Sequence, residues 1–264
     1  VIDMSNGNSQ EVAEQITKAS QEWGFLLLKN HGIATADVDE MFALAYQFFV
    51  GVPENKKQLF PITSDYVGYM GSLKDRYKDD KSSMWLSGSR GFLTENLQIL
   101  PPFWRTQAEK VEKFKHDCFL LIRRLLVYFA MAMGLPDHEH FARAHQEDAG
   151  KGNRFRLNHY PARATAPDEA TTRMSAHSDS GSITLLFQTC EGLEVESPTG
   201  EWFLTPHIPE HILVNLGDAL AFWSGRWLKA TKHRVTFKGV PHDRERMTMA
   251  YFALASPETV LEPV

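Results

Sequence analysis

Cysteine is nearly absent: Cys118 and Cys190 are the only two in 264 residues, and no CxxC occurs. A disulfide framework and a cysteine-built structural zinc site are thereby excluded, and a reducing, cytoplasmic setting is the expectation. Positive charge is not in excess either. The chain carries 28 Lys and Arg against 33 Asp and Glu, a formal net charge of −5. Neither nucleic acid nor an anionic membrane surface is an expected partner. Long apolar runs are missing too. The richest stretch, 118–133, is broken by Arg123 and Arg124, so no transmembrane helix is expected. Residues 1–15 lack the basic-then-apolar order of a signal peptide, and no repeat or low-complexity segment occurs. No Ser/His/Asp or Cys/His set stands out as a nucleophile.

What is present suits a packed core. Hydrophobic residues make up 43% and aromatics 11%, which permits one domain over 1–264. The first part, 1–150, reads mainly as helix with loops. Apolar residues at helical spacing predict helices over 10–22, 36–50 and 106–133, the last stopped by Gly134-Leu-Pro136. Residues 60–105 are the least legible, with scattered glycines, a Lys/Asp-rich patch at 74–81 and Pro101-Pro102. After Lys151 the pattern changes to short runs parted by turn residues: 155–160, 183–188, 193–196, 202–205, 212–215, 219–223, 233–237 and 247–254. Such spacing predicts a mostly β fold with α, in which 151–264 form a jelly roll (double-stranded β-helix, cupin-like) supported by N-terminal helices.

The chemistry concentrates in that second part. His177-Ser-Asp179 is followed by His233. On an extended segment i and i+2 side chains share a face, so His177 and Asp179 are placed to grip one ion. Two imidazoles and one carboxylate form the facial triad of non-haem Fe(II) sites, with open coordination positions. A His-x-acid match alone is weak, since about one is expected by chance among 11 histidines. His145-Gln-Glu147 is another such match, in a charged helix-to-loop region, and is not expected to bind metal. Thirteen residues past His233, Arg246 and Thr248 again share a face and offer a guanidinium fork and a hydroxyl to a carboxylate. Asn215-Leu-Gly-Asp218 reads as a turn with Gly217 at an unusual backbone angle, and His31 as a turn residue.

Asn158-His-Tyr160-Pro161, the block from His177 to Gln188, Asn215-Leu-Gly-Asp218, Lys229 to Val235 and Arg246-Met-Thr248 fall in one order. So do Glu22-Trp-Gly-Phe25 and Asn30-His-Gly32 near the start. Together they resemble the isopenicillin N synthase-like Fe(II)/2-oxoglutarate-dependent oxygenases over nearly the whole chain, thinly between 72 and 105.

The resemblance implies that His177, Asp179 and His233 ligate Fe(II). It implies that Arg246 and Thr248, helped by the Tyr160 hydroxyl, hold the distal carboxylate of 2-oxoglutarate, with Asn158 near the metal-chelating end. Where this chain has Thr248 the family more often has Ser, which keeps the hydroxyl. The implied activity is a dioxygenase that uses O2 and 2-oxoglutarate to oxidise a small organic molecule through a ferryl oxidant, most simply by hydroxylation, with release of succinate and CO2. The central strand block is most similar to fungal and bacterial small-molecule members, which implies secondary metabolism. The alternative is an oxidative cyclase of the isopenicillin N synthase type, which does not use 2-oxoglutarate. Tyr66, Tyr69 and Phe92 are the expected aromatic lining of the substrate pocket.

Overall fold

Two β-sheets face each other, and nearly every functional side chain is set by how they register. The computed structural model describes residues 1–71, 81–86, 97–147, 153–165, 167, 172–238 and 240–264. The larger sheet has eight strands in the order β1 (Ile2–Asp3), β2 (Phe25–Lys29), β10 (Ile212–Leu216), β7 (Ile183–Gln188), β12 (Arg246–Ala253), β5 (Arg154–Tyr160), β4 (Ser82–Leu86) and β3 (Val67–Met70). The smaller has β6 (Thr172–His177), β11 (His233–Thr236), β8 (Leu193–Glu196) and β9 (Trp202–Leu204). All pairings are antiparallel except β1 with β2. This is the expected jelly roll. Its large sheet, however, takes β1 to β4 from the part before residue 150, so the helical supports and the barrel are interleaved in the chain.

Strand alternation divides the large sheet into two faces. Met247, Met249, Tyr251 and Ala253 of β12 point outward into the main core. There they meet helices Thr35–Tyr46 and Ala108–Ala132. The long helix buries Val111, Phe114, Cys118, Ile122, Leu125 and Phe129 on one stripe. It ends as expected at Gly134, whose left-handed φ of 69° lets Leu135 donate back to the Ala130 carbonyl. The other face looks into the barrel. There Tyr160 lies opposite Arg246; Asn158 opposite Thr248, and that opposite Gln188; Arg156 opposite Ala250; and Arg154 opposite Phe252, then Thr184, then Asn215. A smaller apolar cluster between the sheets includes Phe25, Met174, Leu193, Val195, Leu213 and Val235.

Two expectations need correction. Residues 219–223 are not a strand: Asp218–Trp223 is a helix that buries Leu220 and Trp223 at i, i+3. A five-residue apolar run does not distinguish the two by itself. Strand β6 has no counterpart among the expected runs, because its sequence (Thr-Arg-Met-Ser-Ala-His) carries one large apolar residue and little alternation.

Candidate metal centre and anion anchor

His177 ends β6 and His233 begins β11, and the two are direct cross-strand partners. Their ring centroids are 4.3 Å apart. Asp179 follows β6 in the loop that crosses to the large sheet. Its Oδ1 lies 3.8 Å from the Nε2 of both His177 and His233. Metal–ligand distances of about 2.0–2.2 Å accommodate that separation around one ion. The imidazole orientation suits the same purpose. His177 Nδ1 is 2.8 Å from the Ser175 carbonyl and His233 Nδ1 is 3.2 Å from the Thr231 carbonyl. A carbonyl only accepts, so each Nδ1 carries the proton and each Nε2 presents its lone pair toward Asp179. Among the described residues this is the one cluster with metal-ligand geometry.

Asp179 is oriented by residues whose role the sequence does not suggest. Its Oδ2 accepts from Thr184 Oγ1 at 2.7 Å and from Asn215 Nδ2 at 2.7 Å. That leaves Oδ1 for the ion. Burial alone would raise the Asp179 pKa, but His233 and these two hydrogen bonds outweigh it and hold the carboxyl below its ordinary value. Burial lowers the pKa of His233 against the pull of Asp179, which favours the neutral ligand form. The available signal for Thr184 and Asn215 is a polar residue inside an otherwise apolar strand.

Gly217 also has a different role from the expected one. Its φ is −103°, an ordinary value. What requires glycine is space: a Cβ there would lie 2.1 Å from the Gly181 carbonyl oxygen and 2.7 Å from that of Asp179. The Asp179 loop is tied to this corner by Asp218 N donating to the Asp179 carbonyl at 2.7 Å. Gly217→Ala is expected to cost about 1–3 kcal/mol or more through overpacking, and to weaken metal binding by displacing the ligand loop. Thermal melts and a metal titration check this; unchanged metal affinity would contradict it.

The same cavity that contains Asp179 and His233 is lined by Tyr160, Asn158, Arg246 and Thr248. Arg246 is 1% exposed, and no carboxylate among the described residues pairs with it. Glu245 instead reaches His159, at 3.4 Å. The guanidinium is fixed from two sides: Nε donates to the Glu191 carbonyl at 2.8 Å and Nη2 to Gln188 Oε1 at 3.0 Å. Its Nη1 is buried and has no hydrogen-bond partner. Burial lowers the Arg246 pKa, with Tyr160 and Cys190 opposing, so an anion beside it restores what desolvation removes. The Tyr160 hydroxyl has a thioether neighbour, Met174 Sδ at 3.9 Å, a weak acceptor. Ser83 donates to Asn158 Oδ1 at 2.8 Å and Asn158 Nδ2 donates to Thr248 Oγ1 at 3.0 Å. Thr248 therefore keeps its own proton for a carboxylate in the cavity. These donors fit a buried dicarboxylate end.

Asn158 lines the cavity that Asp179 and His233 share with Arg246. It serves the Thr248 end, two rungs along β5 from the Arg154 rung that contains Thr184 and Asn215. Tyr66 lies at the rim, its ring under the Arg154 guanidinium at 3.6 Å. Tyr69 is not at the site. It pairs with Met84, on the face opposite Trp85, packs on Phe48 and donates to Glu54 at 2.9 Å. Phe92 lies outside the described residues, as does most of the 74–81 charge patch. His145 is structural, bound to the Phe141 carbonyl and Ser182, while Glu147 pairs with His116.

His31 and His145 set an acid limit on stability. Burial holds both imidazoles below 6.5, against the hydrogen bonds to Glu210 and Phe141 carbonyls that oppose it. The unfolded chain then takes up protons at higher pH than the folded one, so this stability is complete above the unfolded pKa and is lost as pH falls through it. Melting temperature of the metal-free protein is expected to drop between about pH 7.5 and about pH 5.5. A flat profile would contradict the buried, neutral assignment.

Comparison with known proteins agrees with this geometry. The family model described as the 2OG-Fe(II) oxygenase superfamily matches residues 152–255, and that of the non-haem dioxygenase in morphine synthesis N-terminal region matches residues 1–99. A UPF0676 protein of Schizosaccharomyces pombe is 34% identical, over all of this chain and 84% of its own length. Feruloyl CoA ortho-hydroxylase 1 of Arabidopsis thaliana is 29% identical, over all of this chain and 72% of its length. A full-length Neurospora crassa protein, solved in complex with alpha-KG and 5-formyluracil, superposes with a TM-score of 0.86 at 29% identity, covering all of this chain and 86% of that one.

Proposed function

The chain belongs to the 2OG-Fe(II) oxygenase superfamily, and we propose that within it this enzyme hydroxylates a small, partly apolar organic molecule. It is a 2-oxoglutarate- and Fe(II)-dependent dioxygenase. The observation that carries the cosubstrate assignment is Arg246: a fully buried guanidinium with an unpartnered Nη1, in the same cavity as Asp179 and His233. An oxidase that omits 2-oxoglutarate is the weaker reading.

The protein's part is binding, orientation and exclusion of water. His177, Asp179 and His233 would hold the iron on one side and leave its remaining positions toward the cavity. Bound there with 2-oxoglutarate and O2, the iron supplies the oxidation of a substrate C–H bond, with succinate and CO2 released. Arg246, Thr248 and Tyr160 orient the distal carboxylate. Ala250, opposite Leu186, leaves room between that anchor and the Thr184 rung. Leu186, Leu193 and Val235 line the same space and keep it dry. No side-chain general base is needed.

Secondary metabolism and cytoplasmic residence belong to the same proposal; the buried free thiols of Cys118 and Cys190 suit a reducing compartment. The test is a small-molecule panel assayed for Fe(II)- and 2-oxoglutarate-dependent succinate. Substrate hydroxylated with matching succinate is the expected result. Substrate oxidised without succinate would overturn the cosubstrate assignment.

A further inference from the structure

The end of the barrel away from Arg246 opens through a mouth lined by Trp85, Arg154, Arg156, His177, Phe252 and Leu254. Its wall is flat and aromatic. The Trp85 and Phe252 rings lie 22° from parallel with centroids 6.2 Å apart. Its charge is positive. Arg154 and Arg156 are two apart on β5 and share the inner face, with Arg154 directly opposite Phe252. The Arg156 guanidinium sits 4.9 Å from both the Trp85 and the Phe252 rings, and that of Arg154 sits 3.6 Å from Tyr66.

The Tyr66 ring holds the Arg154 guanidinium in place without neutralising it. No carboxylate among the described residues is in ion-pair distance of Arg154. The acids nearby are engaged otherwise: Asp179 faces the two imidazoles, and Asp218 accepts from Ser178 at 2.9 Å. Tyr66 has a left-handed φ of 58°, costly for an aromatic residue, and it is this conformation that accompanies the ring beneath Arg154.

We propose that the substrate is a planar organic acid. Its conjugated or aromatic part lies against the Trp85–Phe252 wall, and its carboxylate meets the Arg154 guanidinium, flanked by Arg156. The molecule is thereby oriented so that its far edge faces His177 and the metal position. A planar base would be repelled by the Arg154 guanidinium, and a neutral ester would leave that partly desolvated cation unpaired. This substrate assignment rests on the dioxygenase reading above.

The test is calorimetric titration of benzoate, cinnamate and indole-3-carboxylate, each beside its methyl ester, into protein saturated with Mn(II) and 2-oxoglutarate. Saturation with 2-oxoglutarate keeps the acids away from Arg246. At least one acid is expected to bind about 10-fold or more tighter than its ester, on the scale of a charge-assisted contact. Arg154→Gln should remove that preference, and Arg154→Lys should keep part of it. Equal affinity for acid and ester, an acid preference untouched by Arg154→Gln, or no binding by any acid would each overturn the proposal. Binding of 2-oxoglutarate itself, titrated first, separates the two levels: its loss counts against the dioxygenase reading, whereas intact 2-oxoglutarate binding with no acid preference counts against the substrate class alone.

Discussion

Asp179→Ala is expected to abolish Fe(II)-dependent turnover and to weaken metal binding well beyond the loss from any neighbouring residue. Asp179 is the only anionic donor of the three, and its Oδ1 stands at 3.8 Å from each imidazole Nε2. Without it a dication would meet two neutral ligands and no compensating charge. The donors of Thr184 and Asn215 would also be left aimed at nothing, in a buried place where unsatisfied polar groups are costly. Asn215→Ala should be milder, about 10–100-fold in metal affinity, because it disturbs the ligand only through its orientation. Metal titration and 2-oxoglutarate decarboxylation, measured on both variants, give the ranking. Wild-type iron affinity in Asp179→Ala would refute the ligand assignment.

Arg246→Lys is the second large effect, and it should fall on the cosubstrate. The guanidinium already spends Nε on the Glu191 carbonyl and Nη2 on Gln188, and a third edge remains for the anion. A lysine ammonium is a single point donor and cannot satisfy three directions in one plane. Loss of a buried charge-assisted contact costs roughly 2–5 kcal/mol, so the 2-oxoglutarate KM should rise about 100-fold. Gln188→Leu should cause a smaller rise, since it frees the fork without removing it. Steady-state KM and direct 2-oxoglutarate binding provide the check. An unchanged KM would mean that a different cation holds the cosubstrate.

Much of this site is visible in the sequence because two simple rules survive folding. Strand alternation puts Arg246 and Thr248 on one face, and the structure keeps them there beside Tyr160 and Asn158. The ligand pair His177 and Asp179 converges for a different reason. His177 ends a strand, but Asp179 sits in the loop beyond it and is turned inward by Thr184 and Asn215. Those two contacts run from the loop to strands β7 and β10 of the large sheet, and no local pattern encodes them. Gly217 is similarly opaque: its need for space comes from the Gly181 and Asp179 carbonyls of another segment. Tyr69 departs from its expected place because the strand's facing is undetermined until β3 pairs with β4, which sends Trp85 inward and Tyr69 toward Phe48. The short apolar run at 219–223 has too few residues to reveal its period.

An anion anchor in the same cavity as Asp179 and His233 of the metal triad should be bridged to the metal by one bound molecule, and that makes their ligands interdependent. Equilibrium dialysis of 2-oxoglutarate with and without Fe(II), under nitrogen, measures this directly. Iron should tighten 2-oxoglutarate binding, 2-oxoglutarate should tighten iron binding by the same factor, and both gains should vanish in Asp179→Ala. Identical 2-oxoglutarate affinity in the presence and absence of iron would contradict a shared site.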